Sequence, residues 1–133
     1  MAHIFVLDDV LDAAVLTQRI LTKKGHQVTI FTDEQEALQY ALGHRIDLAI
    51  LDINLKKTNG ISVLEELRRA DPTIRVIMLT GYPTIETARQ ALQLGAADYC
   101  IKPIDKSELE QKVSAVLGNC PSQVKPILQE SSP

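Results

Sequence analysis

The chain has 133 residues, the length of one ordinary domain that can bury a core without disulfides or a structural metal. Hydrophobic residues make up 45% and charged residues 23%, a globular balance that excludes disordered and fibrous classes. Fourteen basic against 17 acidic residues leave −3, so no basic field invites nucleic acid or anionic lipid.

In chain order, the hydrophobic pattern switches repeatedly between short apolar runs and helical spacing. His3–Leu7 reads as a strand whose Ile4-Phe5-Val6-Leu7 run suits burial on both faces. Leu11–Lys24 follows as a helix with Ala14, Leu16, Ile20 and Leu21 at core spacing and Gly25 as its stop. Gln27–Phe31 is more polar, as an edge strand should be. Asp33 is placed to cap Glu34–Leu42, with Glu36 in the capping-box position and Gly43 at the end. Asp47–Leu51 is a second continuously apolar strand. It leads to a helix over Ile61–Ala70 that buries Ile61, Leu64 and Leu67 and breaks at Asp71-Pro72. Ile74–Leu79 is the fourth strand, and Thr84–Leu94 a helix between Pro83 and Gly95. Asp98–Ile101 reads as the other edge strand. Asp105 or Ser107 then caps a last helix carrying Leu109, Val113, Val116 and Leu117 on one stripe.

Five strands alternating with five helices over short connections predict an α/β fold, a doubly wound five-stranded parallel sheet in the order 2-1-3-4-5. In that flavodoxin-like (βα)5 arrangement the ligand crevice lies at the C-terminal strand ends. The domain is expected over residues 1–118. From Asn119, Pro121, Pro126 and Pro133 fall among serines and glutamines, so 119–133 is expected to be a tail or linker, with Val124, Ile127 and Leu128 able to dock. Met1-Ala2-His3 lacks the basic start of a secretory signal, and no apolar run approaches the ~20 residues of a membrane helix, so a cytoplasmic location is expected. Cys100 and Cys120 are too far apart for a CxxC motif and read as unpaired thiols.

The functional signal lies in polar residues at strand ends, where packing asks for none. Asp8-Asp9 ends the first strand, Asp52 the third, Thr80 the fourth and Lys102 the fifth. Taken singly, each has a plain structural reading as a helix cap, a turn or a solvated charge. In the order 2-1-3-4-5 the four strands are neighbours, and the five side chains are predicted to meet at one edge. Three crowded carboxylates repel, and such a cluster needs a cation or shared protons. Hard oxygen ligands suit Mg2+, with Lys102 and the Thr80 hydroxyl positioned to hold anionic oxygens. That is the chemistry of phosphoryl transfer to an aspartate, and Asp52, on the central strand, is the best nucleophile.

With these pieces, Asp8-Asp9, Asp52 with Gly60 eight residues on, Leu79-Thr80-Gly81 and Lys102-Pro103, the chain resembles the receiver domain of two-component response regulators from residue 3 to about 118. The stretches Leu79-Thr80-Gly81-Tyr82 and Gly95-Ala96-Ala97-Asp98-Tyr99 resemble receivers of nitrogen-regulatory-type transcription activators. The resemblance implies that Asp52 is phosphorylated from a histidine on a kinase or histidine phosphotransfer protein. It implies Mg2+ on Asp9, Asp52 and the Asn54 carbonyl, with Asp8 acting largely through water. Lys102 would pair with the phosphoryl oxygens, and Pro103 would hold its loop through a cis peptide. Thr80 and Tyr99 would be the switch residues, Thr80 moving to the phosphoryl group and Tyr99 rotating inward behind it. Tyr99 has a second reading as half-buried strand packing. The surface of the fourth helix, fifth strand and fifth helix would then change for a downstream protein target or effector domain, with a homodimer on phosphorylation as one outcome. The domain would catalyse its own aspartyl phosphorylation and dephosphorylation without turning over small molecules.

The chain departs from the family pattern at Lys56, where relatives commonly carry proline, followed by Lys57, and at Val10, where a further acid is common. Neither removes a ligand. The alternative reading is a degenerate receiver acting as a phosphorylation-independent interaction module, which the complete residue set disfavours. A phosphatase with an aspartyl-phosphate intermediate lacks its second aspartate here, and a flavin module would not place Asp8-Asp9-Val10 in its phosphate loop. No DNA-reading motif is present in the sequence.

Overall fold

The computed structural model describes residues 2–118, in which strands and helices alternate without exception: β1 His3–Leu7, α1 Leu11–Lys23, β2 Gln27–Phe31, α2 Glu34–Gly43, β3 Leu48–Asp52, α3 Gly60–Ala70, β4 Arg75–Thr80, α4 Ile85–Gln93, β5 Asp98–Ile101 and α5 Lys106–Val116. The five strands form one parallel sheet in the order β2-β1-β3-β4-β5, as the alternation predicts. The expectations placed on 119–133, and on Cys120, fall outside the described residues. Among the described residues no helix is long and apolar enough to cross a membrane.

Successive strand side chains point to opposite faces, so the continuously apolar runs feed two cores. Phe5, Leu7, Ala49, Leu51, Val76 and Met78 face α2, α3 and α4. Ile4, Val6, Leu48, Ile50, Ile77 and Leu79 face α1 and α5. β3 and the inner part of β4 are buried throughout, which is why their sequences carry no alternation.

Capping follows the sequence signals. Asp33 accepts from the Glu36 N–H at 3.0 Å, and Thr84 accepts from the Thr87 N–H at 3.0 Å. Asp105 rather than Ser107 caps α5, accepting from the Ser107 and Glu108 N–H groups at 3.0 and 3.3 Å. In α1 the predicted stripe is corrected at Leu16, which is 60% exposed. Ala14, Thr17 and Leu21 face inward instead, three and four residues apart on one side of the helix. Thr17 is tolerated there because its hydroxyl donates to the Ala13 carbonyl at 3.1 Å. Gly25 and Gly95 take φ of 93° and 88° where α1 and α4 turn back to the sheet, a region closed to most side chains.

Two boundaries bear on function. β3 and β4 each run one residue further than the apolar pattern implies, so Asp52 and Thr80 are the last residues of their strands. Asp52 is registered with Leu79, and Thr80 with Ile101. Backbone pairing therefore fixes where both functional groups sit.

Candidate functional site

β1 and β3 are neighbours with Leu7 opposite Leu51, so Asp8 and Asp52 emerge side by side at the C-terminal end of the sheet. Asp8 is 3% and Asp52 5% exposed, and Asp9 is half-buried. One carboxylate oxygen from each of Asp8, Asp9 and Asp52 lies within 4.8 Å of the others. Lys102 follows β5, its backbone N–H donating to the Thr80 carbonyl at 2.7 Å. From there its Nζ reaches Asp8 Oδ2 at 2.6 Å and Asp52 Oδ2 at 3.3 Å. The Lys102–Pro103 peptide is cis.

Every one of the three acids is also held by a main-chain amide. The Val10 N–H donates to Asp8 Oδ1 at 3.0 Å, the Asn54 N–H to Asp52 Oδ1 at 3.1 Å, and the Lys56 N–H to Asp9 Oδ2 at 2.7 Å. Gly60 lets this loop close over β3. A Cβ at that position would run into the Asp52 carbonyl and lie 2.8 Å from the Ile53 Cα.

Burial raises the Asp52 pKa above the ordinary carboxylate value; Lys102 and the Asn54 N–H oppose that rise, and Asp8 adds to it. For Lys102, burial works against the ammonium, but the hydrogen bond and charge of Asp8, then those of Asp52, outweigh it and raise its pKa. One ammonium thus faces two of the three acids. The donor set fits a hard divalent cation such as Mg2+: the oxygens converge, they are carboxylates, and they outnumber the one ammonium paired with them.

Asp8, Asp9, Asp52 and Lys102 come together as the sequence predicts. Thr80 sits beside them, fully buried, but bonds elsewhere: its Oγ1 donates to Asn54 Oδ1 at 2.7 Å and accepts from the Tyr82 N–H at 3.0 Å. Tyr99 is half-buried, its hydroxyl 2.9 Å from Thr87 Oγ1 on α4. Sequence reasoning missed the Asn54 amide, the Lys56 amide and Thr87 as partners. Lys56 was legible only as a departure, and Thr87 carried no signal. Lys57 is largely exposed, 4.0 Å from Asp33 Oδ1.

A doubly wound sheet with an acidic corner and an ion-paired lysine at its C-terminal edge defines an aspartate-centred receiver. The chain belongs to the response regulator receiver domain family, whose model matches residues 4–114. Among solved structures it is similar to a CheY-like receiver domain protein from Methanospirillum hungatei, with a TM-score of 0.85, 30% identity, and coverage of 88% of this chain and 94% of that one. It is also similar to a response regulator from Burkholderia pseudomallei that holds a phosphorylated aspartic acid, a calcium ion and citrate (TM-score 0.79, 30% identity, 87% and 66% covered). Among curated proteins, the transcriptional regulatory protein ZraR of Escherichia coli K12 is 32% identical over 116 residues. The probable transcriptional regulator ycf27 of Cyanidium caldarium is 36% identical over 115. These matches cover 87% and 86% of this chain but only 26% and 46% of those proteins, so the chain spans between a quarter and a half of their length.

Proposed function

We propose that this receiver is a phosphorylatable switch in which Asp52 takes a phosphoryl group from a phosphohistidine on a kinase or phosphotransfer protein. An Asp52 carboxylate oxygen attacks phosphorus in line, a P–O bond forms, and the P–N bond breaks as the imidazole leaves. Asp8, Asp9, Asp52 and the Asn54 carbonyl would hold Mg2+, which supplies charge neutralisation on the transferred group. Lys102 turns from Asp8 and Asp52 toward the phosphoryl oxygens and holds them electrostatically. The observation that carries this reading is the buried Asp52 carboxylate ion-paired with Lys102 beside two further acids. The phosphorylated aspartate and the cation in the Burkholderia relative support it.

The response runs through Thr80. To reach a phosphoryl group on Asp52 its hydroxyl leaves Asn54 Oδ1, and the space it vacates admits the Tyr99 ring once the bond to Thr87 opens. A phosphoryl group adds charge and strong acceptors at one point, enough to bias two packings that differ by a few kcal/mol. The output face is α4, β5 and α5, where Ile85, Leu92 and Ile101 stand exposed. Its partner is a downstream protein or effector domain, or a second copy of the chain.

Intact-protein mass after incubation with acetyl phosphate tests the chemistry. A single phosphoryl adduct that needs Mg2+ and is absent from Asp52→Ala is expected. No adduct in the parent, together with no Mg2+ binding, would overturn the reading in favour of a phosphorylation-independent interaction module.

A further inference from the structure

Asp8 and Asp52 each offer one oxygen to a neighbouring amide and the other to Lys102. Asp9 stands apart. Among the described residues its carboxylate has one hydrogen-bond partner, the Lys56 N–H at 2.7 Å, and Lys102 does not reach it. Asp9 therefore depends on the β3–α3 loop alone for its orientation, and that loop is itself pinned. Asn54 bridges to Asn59, the Gly60 N–H donates to the Ile53 carbonyl at 2.9 Å, and the Ile53 N–H donates to the Leu79 carbonyl at 2.9 Å.

We infer that Lys56 is a positioning residue for the cation site, acting through its main-chain amide rather than its ammonium. The amide fixes Asp9 by Oδ2, in a carboxylate that has an oxygen within 4.8 Å of one from each of Asp8 and Asp52. A carboxylate ordered in this way loses less freedom when it takes a cation, and a hydrogen-bonding partner behind a ligand commonly changes metal affinity about 10-fold or more. The contact needs only an N–H at this position, which the proline that relatives commonly carry there cannot supply, so it is a feature of this chain. The Lys56 side chain is free to vary, consistent with its exposure. The inference rests on the reading of Asp8, Asp9 and Asp52 as the Mg2+ site.

Calorimetric titration of the full unphosphorylated chain with MgCl2 tests it, without any turnover. Lys56→Ala keeps the amide and is expected to bind Mg2+ within about twofold of the parent; Lys56→Pro is expected to bind about 10-fold more weakly, with CaCl2 giving the same ranking. Because the proline ring also constrains the loop, a semisynthetic chain with an ester in place of the Lys56 amide removes the N–H alone. It is expected to match the proline variant, and if the proline variant does not fold, the ester decides. Equal affinity in the ester chain and the parent would overturn the inference, as would a 10-fold loss in Lys56→Ala. If the parent itself binds no Mg2+, the failure lies with the cation-site reading, and the two cases are told apart.

Discussion

The two ends of the sheet handle polar residues in opposite ways. At the N-terminal end, Asp98 has a lysine of its own, with Lys112 Nζ at 3.1 Å, and several other groups have neutral or backbone partners. Asp47 Oδ2 accepts from the His3 N–H at 2.8 Å, the Tyr40 hydroxyl meets His3 Nε2 at 2.8 Å, and Arg68 donates to the Ile74 carbonyl at 2.7 Å. His44 stacks on Tyr40 with ring centroids 3.9 Å apart. At the C-terminal end, three carboxylates crowd one corner, only Asp8 and Asp52 share the Lys102 ammonium, and burial works against the charge on Asp52. The first set closes the ends of elements and stabilises the fold. The second is held against its own repulsion by packing elsewhere, the usual mark of a site kept for chemistry.

The sharpest contrast is between Asp52→Asn and Tyr40→Ala. Asp52→Asn is expected to abolish the phosphoryl adduct yet raise the thermal midpoint at pH 7. The sign follows from the pKa. A carboxyl raised when folded binds protons more readily in the folded than in the unfolded chain, so its ionisation costs stability as pH rises from the ordinary 3.8 through the folded value. The advantage of the asparagine should shrink as pH falls toward 3.8, which melting curves at several pH values would read. Tyr40→Ala is expected to do the reverse, losing roughly 2 kcal/mol in urea unfolding from its packing and hydrogen bonds while phosphorylation proceeds. A destabilised Asp52→Asn would break the comparison.

Gly60→Ala blurs it usefully, because an apolar change at the functional end should cost stability. With a Cβ driven into the Asp52 carbonyl, a loss of about 2–3 kcal/mol and slower phosphorylation are expected. Unchanged unfolding would show that β3 yields there.

Much of this was legible because different residues answer to different rules. The apolar runs of β1, β3 and β4 give the buried strands directly, and Gly25, Asp33 and Gly95 punctuate them. Asp8, Asp9, Asp52 and Lys102 are legible because the strand order turns four separate polar ends into one edge. Leu16 was misplaced because hydropathy favours it over Thr17, although helical geometry puts position 17 between Ala14 and Leu21. The strand ends fell one residue short because a polar residue closes an apolar run whether or not the backbone ladder continues. The Lys56–Asp9 bond was illegible, since every residue but proline has the same amide. The partners of Thr80 and Tyr99 depend on side-chain rotamers that no sequence period encodes.

Smaller effects sharpen the division. Thr80→Ala removes two hydrogen bonds at a buried position and should cost about 1 kcal/mol. The adduct on Asp52 should still form, while the shift of Tyr99 resonances on adding beryllofluoride should shrink. An undiminished shift would remove Thr80 from the switch. The smallest effect is expected at His26, which accepts from the Ala2 N–H at 3.2 Å and whose pKa burial lowers below 6.5. A lowered histidine contributes stability that is present above 6.5 and lost as pH falls through the folded value, so His26→Gln should flatten the stability profile there.

The most direct test of Asp52 as the acceptor is chemical trapping of the phosphorylated protein. Borohydride reduces an acyl phosphate to the alcohol, turning the modified aspartate into homoserine that peptide mass mapping can place. Homoserine at position 52, dependent on Mg2+ and lost when Lys102 is replaced by alanine, is the expected result. Homoserine at position 8 or 9, or an adduct that resists borohydride, would contradict the account.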